Sequence, residues 1–307
     1  MEIIAVDTGN RLVKTPHFVF NAGIVRHGRR LPAIRTDMLC FKGEYYSITE
    51  QRNPYLKDKS LDDTYYILSL FAIGKELCRN GAPAPGKHQV FLAVGLPPTH
   101  IPFLRDSYSQ YFLSHGKEIN FEYNGNQLNV EIARVTVYPQ GFSAAADLLG
   151  QLKDYPRTYI VDIGGYTTDV VMLAKGKPDM SFCHSFNFGV IHMDNAIQRV
   201  VSSQHDVELE DDHIESTLMG GVTLPPDIQA TIRREAERYA NDLMRSLREK
   251  GVDPSVNMLL FVGGGSELFR GVLSRVCPNV LFKTDVTANA MGYAKMAARS
   301  AGVAYPG

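Results

Sequence analysis

Hydrophobic positions fall along this chain in two kinds of run. The first is short, β-branched and ends abruptly in small polar residues and glycine. Ile3-Ile4-Ala5-Val6 leads into Asp7-Thr8-Gly9-Asn10, Tyr159-Ile160-Val161 into Asp162-Ile163-Gly164-Gly165, and Met258-Leu259-Leu260-Phe261-Val262 into Gly263-Gly264-Gly265-Ser266. Such runs, bounded by turn residues, predict buried strands. The second kind has helical spacing. Tyr66, Leu70, Ile73 and Leu77 share one face of a helix over 62–78, with Asp62 or Asp63 to cap it. Ile228, Ile232, Ala236, Tyr239, Leu243 and Leu247 line a longer helix over 227–250, opened by Pro225-Pro226-Asp227 and closed by Gly251.

Between these landmarks the pattern predicts further elements. Val13 to Phe20 and on to Ile24 reads as strand broken at Pro16, and Phe41 to Ile48 as a strand pair turning at Gly43-Glu44. Val90 to Val94 is a buried strand, Phe121 to Leu128 a hairpin arm turning at Asn124-Gly125, and Ile132 to Val137 a separate strand. Helices are expected at Phe103 to Phe112, from Ser143 with Phe142, Ala145, Leu149 and Leu152 on its apolar face, at Met193 to Val201 with Asp194 in its first turn, and at Thr287 to Ala298. The run Val170 to Leu173 passes through a turn over Lys175 to Asp179 into a return strand ending near Phe186.

The central stretch, Tyr159 to Leu173, carries the richest chemistry. Gly164 and Gly165 leave no Cβ in the way, so backbone N–H groups can converge on an anion. Thr167 and Thr168 add hydroxyl donors, and Asp162 and Asp169 stand where a phosphate-bound cation needs a counter-charge. An ordinary hairpin with a glycine turn satisfies the same pattern. The two echoes at Asp7 to Asn10, followed by Lys14, and at Gly263 to Ser266 favour one nucleotide gripped from several sides. No Walker A loop and no dinucleotide fingerprint occurs. Gly189, just before a helix, offers a further phosphate seat. Gln140 stands at a strand-to-helix junction, as a contact to a reacting water or as a turn residue. Arg233, Arg234, Glu235 and Arg238 lie on the polar face of the long helix; most of that face reads as solvated, with Arg234 a candidate contact to base or ribose.

Composition narrows the class. At 307 residues the chain exceeds the size at which one core stops growing, so two lobes are expected. Hydrophobic content of 44% and charged content of 21% describe an ordinary globular protein, and a net charge of -1 gives no electrostatic case for direct nucleic-acid or membrane binding. The basic stretch Arg26, His27, Arg29, Arg30, Arg35 reads as a solvated loop or as a partner surface. Cys40, Cys78, Cys183 and Cys277 form no CxxC pair and read as reduced structural thiols. With no basic leader and no run of membrane-spanning length, a cytoplasmic protein is expected.

The order of these parts resembles the actin, sugar-kinase and DnaK-type ATPase superfamily. Asp7-Thr8-Gly9-Asn10 matches the first phosphate loop, with Lys14 as its β-phosphate lysine, and Asp162 to Asp169, with Gly164, Gly165, Tyr166 and Thr167, matches the second. Pro139-Gln140-Gly141 matches the segment carrying the hydrolytic residue, and Val262 to Ser266, with Gly263, Gly264, Gly265 and Ser266, the adenosine loop. The length and the closing Thr287-Ala288-Asn289-Ala290-Met291-Gly292-Tyr293 are similar to plasmid-segregation actins of the ParM/StbA type and their archaeal relatives. In the bacterial plasmid protein a glutamate is common where Gln140 stands; glutamine is the residue of true actin.

The resemblance implies an α/β, two-lobed fold, each lobe a mixed five-stranded sheet with flanking helices, and nucleotide in the cleft. One lobe would take 1–152 with 286–307, the other 153–285. It further implies ATP or ADP as ligand and Mg²⁺ organised by Asp7 and Asp162 through water. Gln140 and Asp162 would then act as the hydrolytic pair. Self-assembly into filaments that move or segregate plasmid DNA through a DNA-binding adaptor is the expected function. A small-molecule kinase, or a scaffold with structural nucleotide, are the other readings.

Overall fold

A computed structural model describes residues 1–33, 36–51, 58–221 and 223–304. The chain divides into two compact units, Met1–Ala146 with Thr287–Gly307, and Asp147–Val286. Residues 147–152 and Val286, assigned from sequence to the first lobe, therefore group with the second unit. Lys283 pairs with Asp147 there, and Val286 lies beside Gly264.

The first unit runs β1 (Glu2–Thr8), β2 (Leu12–Lys14), β3 (Val19–Asn21), β4 (Gly23–Gly28), β5 (Met38–Phe41), β6 (Glu44–Thr49), α1 (Thr64–Leu77), β7 (Lys87–Leu96), α2 (Ile101–Leu113), β8 (Glu118–Tyr123) and β9 (Asn126–Pro139). Its sheet has the order β3-β2-β1-β7-β9-β8-β5-β6-β4, with β1, β7 and β9 parallel. Parallel strands need cover on both faces, which explains their unbroken apolar runs. Ile4, Val6, Leu92 and Val94 belong to the core that includes Tyr66, Leu70 and Ile73 of α1. The alternate positions Ala5, Phe91 and Ala93 belong to a second cluster with Tyr293, Ala294 and Ala297.

The second unit runs α3 (Leu149–Leu152), β10 (Arg157–Ile163), β11 (Thr168–Ala174), β12 (Lys177–Phe186), α4 (Val190–His205), α5 (Asp211–Leu218), α6 (Pro226–Glu249), β13 (Met258–Val262), α7 (Gly265–Val276) and β14 (Val280–Lys283). The last helix, α8 (Ala288–Ser300), returns the chain to the first unit. The second sheet has the order β12-β11-β10-β13-β14, with β10, β13 and β14 parallel. The same hairpin-then-parallel plan appears in the first sheet as β3-β2-β1-β7-β9. Five strands were expected in each lobe; the second unit has them, whereas the first adds β8, β5, β6 and β4 beyond β9.

Several local expectations shift for identifiable reasons. The β5–β6 turn is Lys42-Gly43 rather than Gly43-Glu44, because both residues take positive φ, 52° and 76°, the conformation a two-residue hairpin loop demands. The β11–β12 turn likewise tightens to Lys175-Gly176; Lys177 and Pro178 join β12, an edge strand where proline costs no ladder bond. Residues 126–139 form one strand, so Ile132 to Val137 is not a separate one. Arg26 and His27 belong to β4, not to a loop, and Arg35 lies outside the described residues.

The helix expected from Ser143 does not form; turns occupy 140–148 and only Leu149–Leu152 is helical. Here Gly141 takes φ 70° and the backbone closes short bonds such as Phe142 N–H to Gln140 and Ala146 N–H to Ser143. The Gly141 N–H goes instead to the Asn289 side chain at 2.9 Å, so contact with α8 overrides local helical spacing. The helix α4 is longer than its apolar run predicted, which moves Asp194 into the second turn, fully buried.

Candidate functional site

In the first unit, β1 delivers Asp7 and Thr8 to the β1–β2 turn, both almost wholly buried. Register places Lys14 of β2 directly opposite Asp7, and its Nζ lies 3.3 Å from Asp7 Oδ2. The other carboxylate oxygen accepts a bond of 3.0 Å from Nε2 of Gln140, the residue that follows β9. Asp7 thus joins the predicted phosphate lysine, Lys14, to the predicted hydrolytic glutamine, which lies 133 residues from Asp7 in sequence. Gly9 fits only without a side chain, because a Cβ there would meet the Leu12 carbonyl at 2.4 Å and the Lys14 ammonium at 3.0 Å. Asn10 accepts a 2.6 Å bond from the Tyr65 hydroxyl, and the Thr8 hydroxyl lies 2.8 Å from that of Tyr108. Burial drives the Tyr108 phenol well above its ordinary range, so it stays protonated as a hydrogen-bonding post.

In the second unit, three glycine-bearing segments distant in sequence come together. The turn between β10 and β11 is closed by Gly164 N–H to the Thr167 carbonyl at 2.9 Å, and Thr167 Oγ1 donates to Asp169 Oδ2 at 3.1 Å. The first turn of α4 docks on this loop: Val190 N–H reaches the Gly164 carbonyl at 3.0 Å and Ile191 N–H the Gly165 carbonyl at 2.9 Å. At Gly189 a Cβ would sit 2.2 Å from that same Gly165 carbonyl, so close approach of the two segments requires glycine. The Tyr239 hydroxyl of α6 donates to the Gly189 carbonyl at 3.0 Å, fixing the entrance to α4 from the far side.

The third segment arrives from β13. Gly263 takes φ 85°, and a Cβ on it would meet Asp162 Oδ1 at 2.4 Å and the Ile163 carbonyl at 2.8 Å. A Cβ on Gly265 would strike the Ile163 side chain at 2.4 Å. Gly264 differs, since the nearest atom to a Cβ there is a Val286 methyl at 3.6 Å. Its small size is therefore not required by the protein's own packing, as expected of a residue facing a ligand. Ser266, fully buried, donates to the Gly263 carbonyl at 2.7 Å and so serves the loop rather than an outside group. Tyr166, within the β10–β11 turn, sets its ring edge-on to His192 of α4 at 5.7 Å.

Arg234 does not join this cluster. Its guanidinium binds Gln204 at 3.2 Å and Glu235 at 3.3 Å. Gln204 is fifteen residues along α4 from Gly189, about 22 Å at 1.5 Å per residue. Lys59 was missed by the sequence reading: its buried ammonium donates to the Thr8 carbonyl. No spacing connects a lysine 51 positions away to that loop.

Among the described residues no group of three or more His, Cys, Asp or Glu side chains is arranged to hold a metal. Mg²⁺ keeps several waters and binds through one or two carboxylates together with substrate phosphates, so it needs no such group. Both oxygens of Asp7 are taken by Gln140 and Lys14, so an ion would reach that carboxylate through water. Among the described residues, no helix is long and apolar enough to cross a membrane.

Comparison with known proteins bears on the fold and the family. Residues 33–142 match the model of the actin like proteins N terminal domain, and residues 160–275 that of the archaeal actin homologue MreB-like C-terminal domain. No curated protein matches the sequence. Among solved structures, an archaeal actin homologue is 20% identical, covers 98% of this chain and 100% of its own, and superposes with a TM-score of 0.75. The actin-like protein Alp7A is 14% identical over 97% of this chain and 96% of its own, with a TM-score of 0.79. ParM from a 15-stranded filament of Clostridium botulinum is 17% identical over 97% and 99%, with a TM-score of 0.74. With an actin-like N-terminal domain and an MreB-like C-terminal domain on one continuous two-unit fold, this chain belongs to the actin-like proteins.

Proposed function

We propose that this protein binds ATP with Mg²⁺, hydrolyses it, and assembles into filaments whose dynamics follow that hydrolysis. The observation that carries the reading is the convergence of Gly164-Gly165 with the start of α4 at Gly189, joined by backbone hydrogen bonds, and of Gly263 to Gly265, packed against Asp162, Ile163 and Val190. The positive end of the sixteen-residue helix α4 favours an anion there, while its first N–H groups hold the Gly164 and Gly165 carbonyls and so shape the loop. The archaeal actin homologue has also been solved in complex with ADP, and a ParM of Bacillus thuringiensis with AMPPNP, which supports a nucleotide as the ligand. Filament structures of a ParM and of Alp12 support self-association.

In this reading Asp7, Thr8, Gly9, Asn10 and Lys14 form the phosphate loop of the first unit and Gly164 to Thr167 that of the second, and Gly263 to Gly265 form the adenosine loop, which Ser266 braces. Asp7 and Asp162 hold Mg²⁺ through water; when bound, the ion neutralises phosphate charge. Gln140 orients the attacking water, with Asp162 as its partner in that role. A neutral amide accepts and donates hydrogen bonds but is no strong base, so slow hydrolysis in the monomer follows. The filament moves or segregates plasmid DNA through a DNA-binding adaptor, because a net charge of -1 gives the chain no bulk attraction for DNA. Calorimetric titration with ATP, with and without Mg²⁺, tests the reading. Saturable, Mg²⁺-enhanced binding supports it, and no heat of binding in folded protein overturns it.

A further inference from the structure

We infer that Lys59 is a positioning residue of the first phosphate loop, tying its backbone so that the loop favours the outer phosphates of a nucleoside triphosphate. This rests on the nucleotide reading above. Lys59 is only 7% exposed, a rare condition for lysine, whose ammonium is costly to withdraw from water without strong partners. Its ammonium donates to the Thr8 carbonyl and lies 5.1 Å from the Tyr65 ring centroid, within cation–π range.

Thr8 and Gly9 share one trans peptide plane, and both ends of it are held. The Gly9 N–H donates to the Asp7 carbonyl at 3.0 Å, and the Thr8 carbonyl accepts from Lys59. The rotation of that plane is therefore set by Lys59 from one side and by Asp7 from the other. The same Tyr65 that carries the ammonium on its ring face gives its hydroxyl to Asn10 at 2.6 Å, so one pair braces both Thr8 and Asn10. With Lys59 removed, the Thr8 carbonyl regains freedom to turn its negative end towards an incoming phosphate. Groups beyond the α-phosphate feel this most, because Lys14 of β2, paired with Asp7 across the turn, is the phosphate cation of the proposed site.

The test compares ATP and AMP affinities by calorimetry for wild type, Lys59→Met, which keeps the aliphatic stem, and Lys59→Arg, which keeps charge and donors. The expected result is a loss of about ten- to a hundredfold in ATP affinity for Lys59→Met, the range for one charge-assisted hydrogen bond. AMP affinity should stay within about twofold, and Lys59→Arg should restore part of the ATP preference. A merely structural lysine would lower both nucleotides together, or neither, and either result overturns the inference. If the methionine variant does not fold, Lys59→Gln carries the same comparison. Absence of ATP binding in the wild type is a separate outcome that removes the nucleotide reading and the inference with it.

Discussion

Gln140 Nε2 donates to Asp7 Oδ1 at 3.0 Å, while Lys14 occupies Oδ2 of the same carboxylate. Asp7 holds the Gln140 carboxamide in one orientation, which suits the water-orienting role proposed for it. Gln140→Ala should leave ATP affinity nearly intact and lower turnover by roughly ten- to a thousandfold, the cost of one positioned catalytic contact. Phosphate release under saturating ATP checks this; a wild-type rate would reduce Gln140 to a turn residue.

Asp7→Ala removes the partner of both side chains. Nucleotide affinity measured with Mg²⁺ should fall more than affinity measured in chelator, because the carboxylate's contribution passes through the hydrated ion. Equal losses in the two conditions would assign Asp7 to loop architecture alone.

The adenosine-loop glycines should respond unequally. At Gly264 a Cβ meets only a Val286 methyl, at ordinary contact distance, so Gly264→Asp, which puts a negative charge where phosphate is expected, should lose ATP binding with thermal stability preserved. Gly263→Ala forces a Cβ onto Asp162 at positive φ and should destabilise the second unit by about 1 to 3 kcal/mol. Thermal melts of the two variants beside ATP titrations separate these effects; equal destabilisation would contradict the geometry.

Asp37 gives a pH prediction independent of nucleotide. Burial pushes its carboxyl up, but hydrogen bonds from Lys75 and Tyr123, with the Lys75 charge, outweigh that and hold it below its ordinary value. A carboxyl with a depressed folded pKa adds stability above its unfolded pKa, and that stability is lost as pH falls through the folded pKa. Asp37→Asn should therefore melt below wild type at neutral pH, with the gap closing as pH falls below the ordinary aspartate range and through the folded pKa. A gap in melting temperature that is constant across the range would show that the ionised form plays no part.

Much of this arrangement was legible in the sequence because strand and loop chemistry are local. The glycines at 164–165, 189 and 263–265 end or begin apolar runs, and the structure joins them. What escaped is non-local. Lys59 reaches Thr8 through tertiary packing alone, and Asn289 takes the Gly141 N–H that the expected helix would have left to its own cap. Arg234 sits on the polar face as read, but helix phase fixes direction around an axis and not distance along it, so its remoteness from Gly189 was invisible. The four extra strands of the first sheet were seen in part as hairpins; their attachment at β9 through β8 is a pairing choice that periodicity does not encode.

The central claim is that nucleotide drives assembly. Sedimentation of the purified protein across a concentration series, with and without ATP and Mg²⁺, tests it most directly. The predicted result is a pellet that appears only with ATP above a critical concentration, and that outlasts the wild-type pellet in Gln140→Ala once ATP is limiting. Protein that binds ATP yet pellets equally with and without it, or never pellets, would contradict the account.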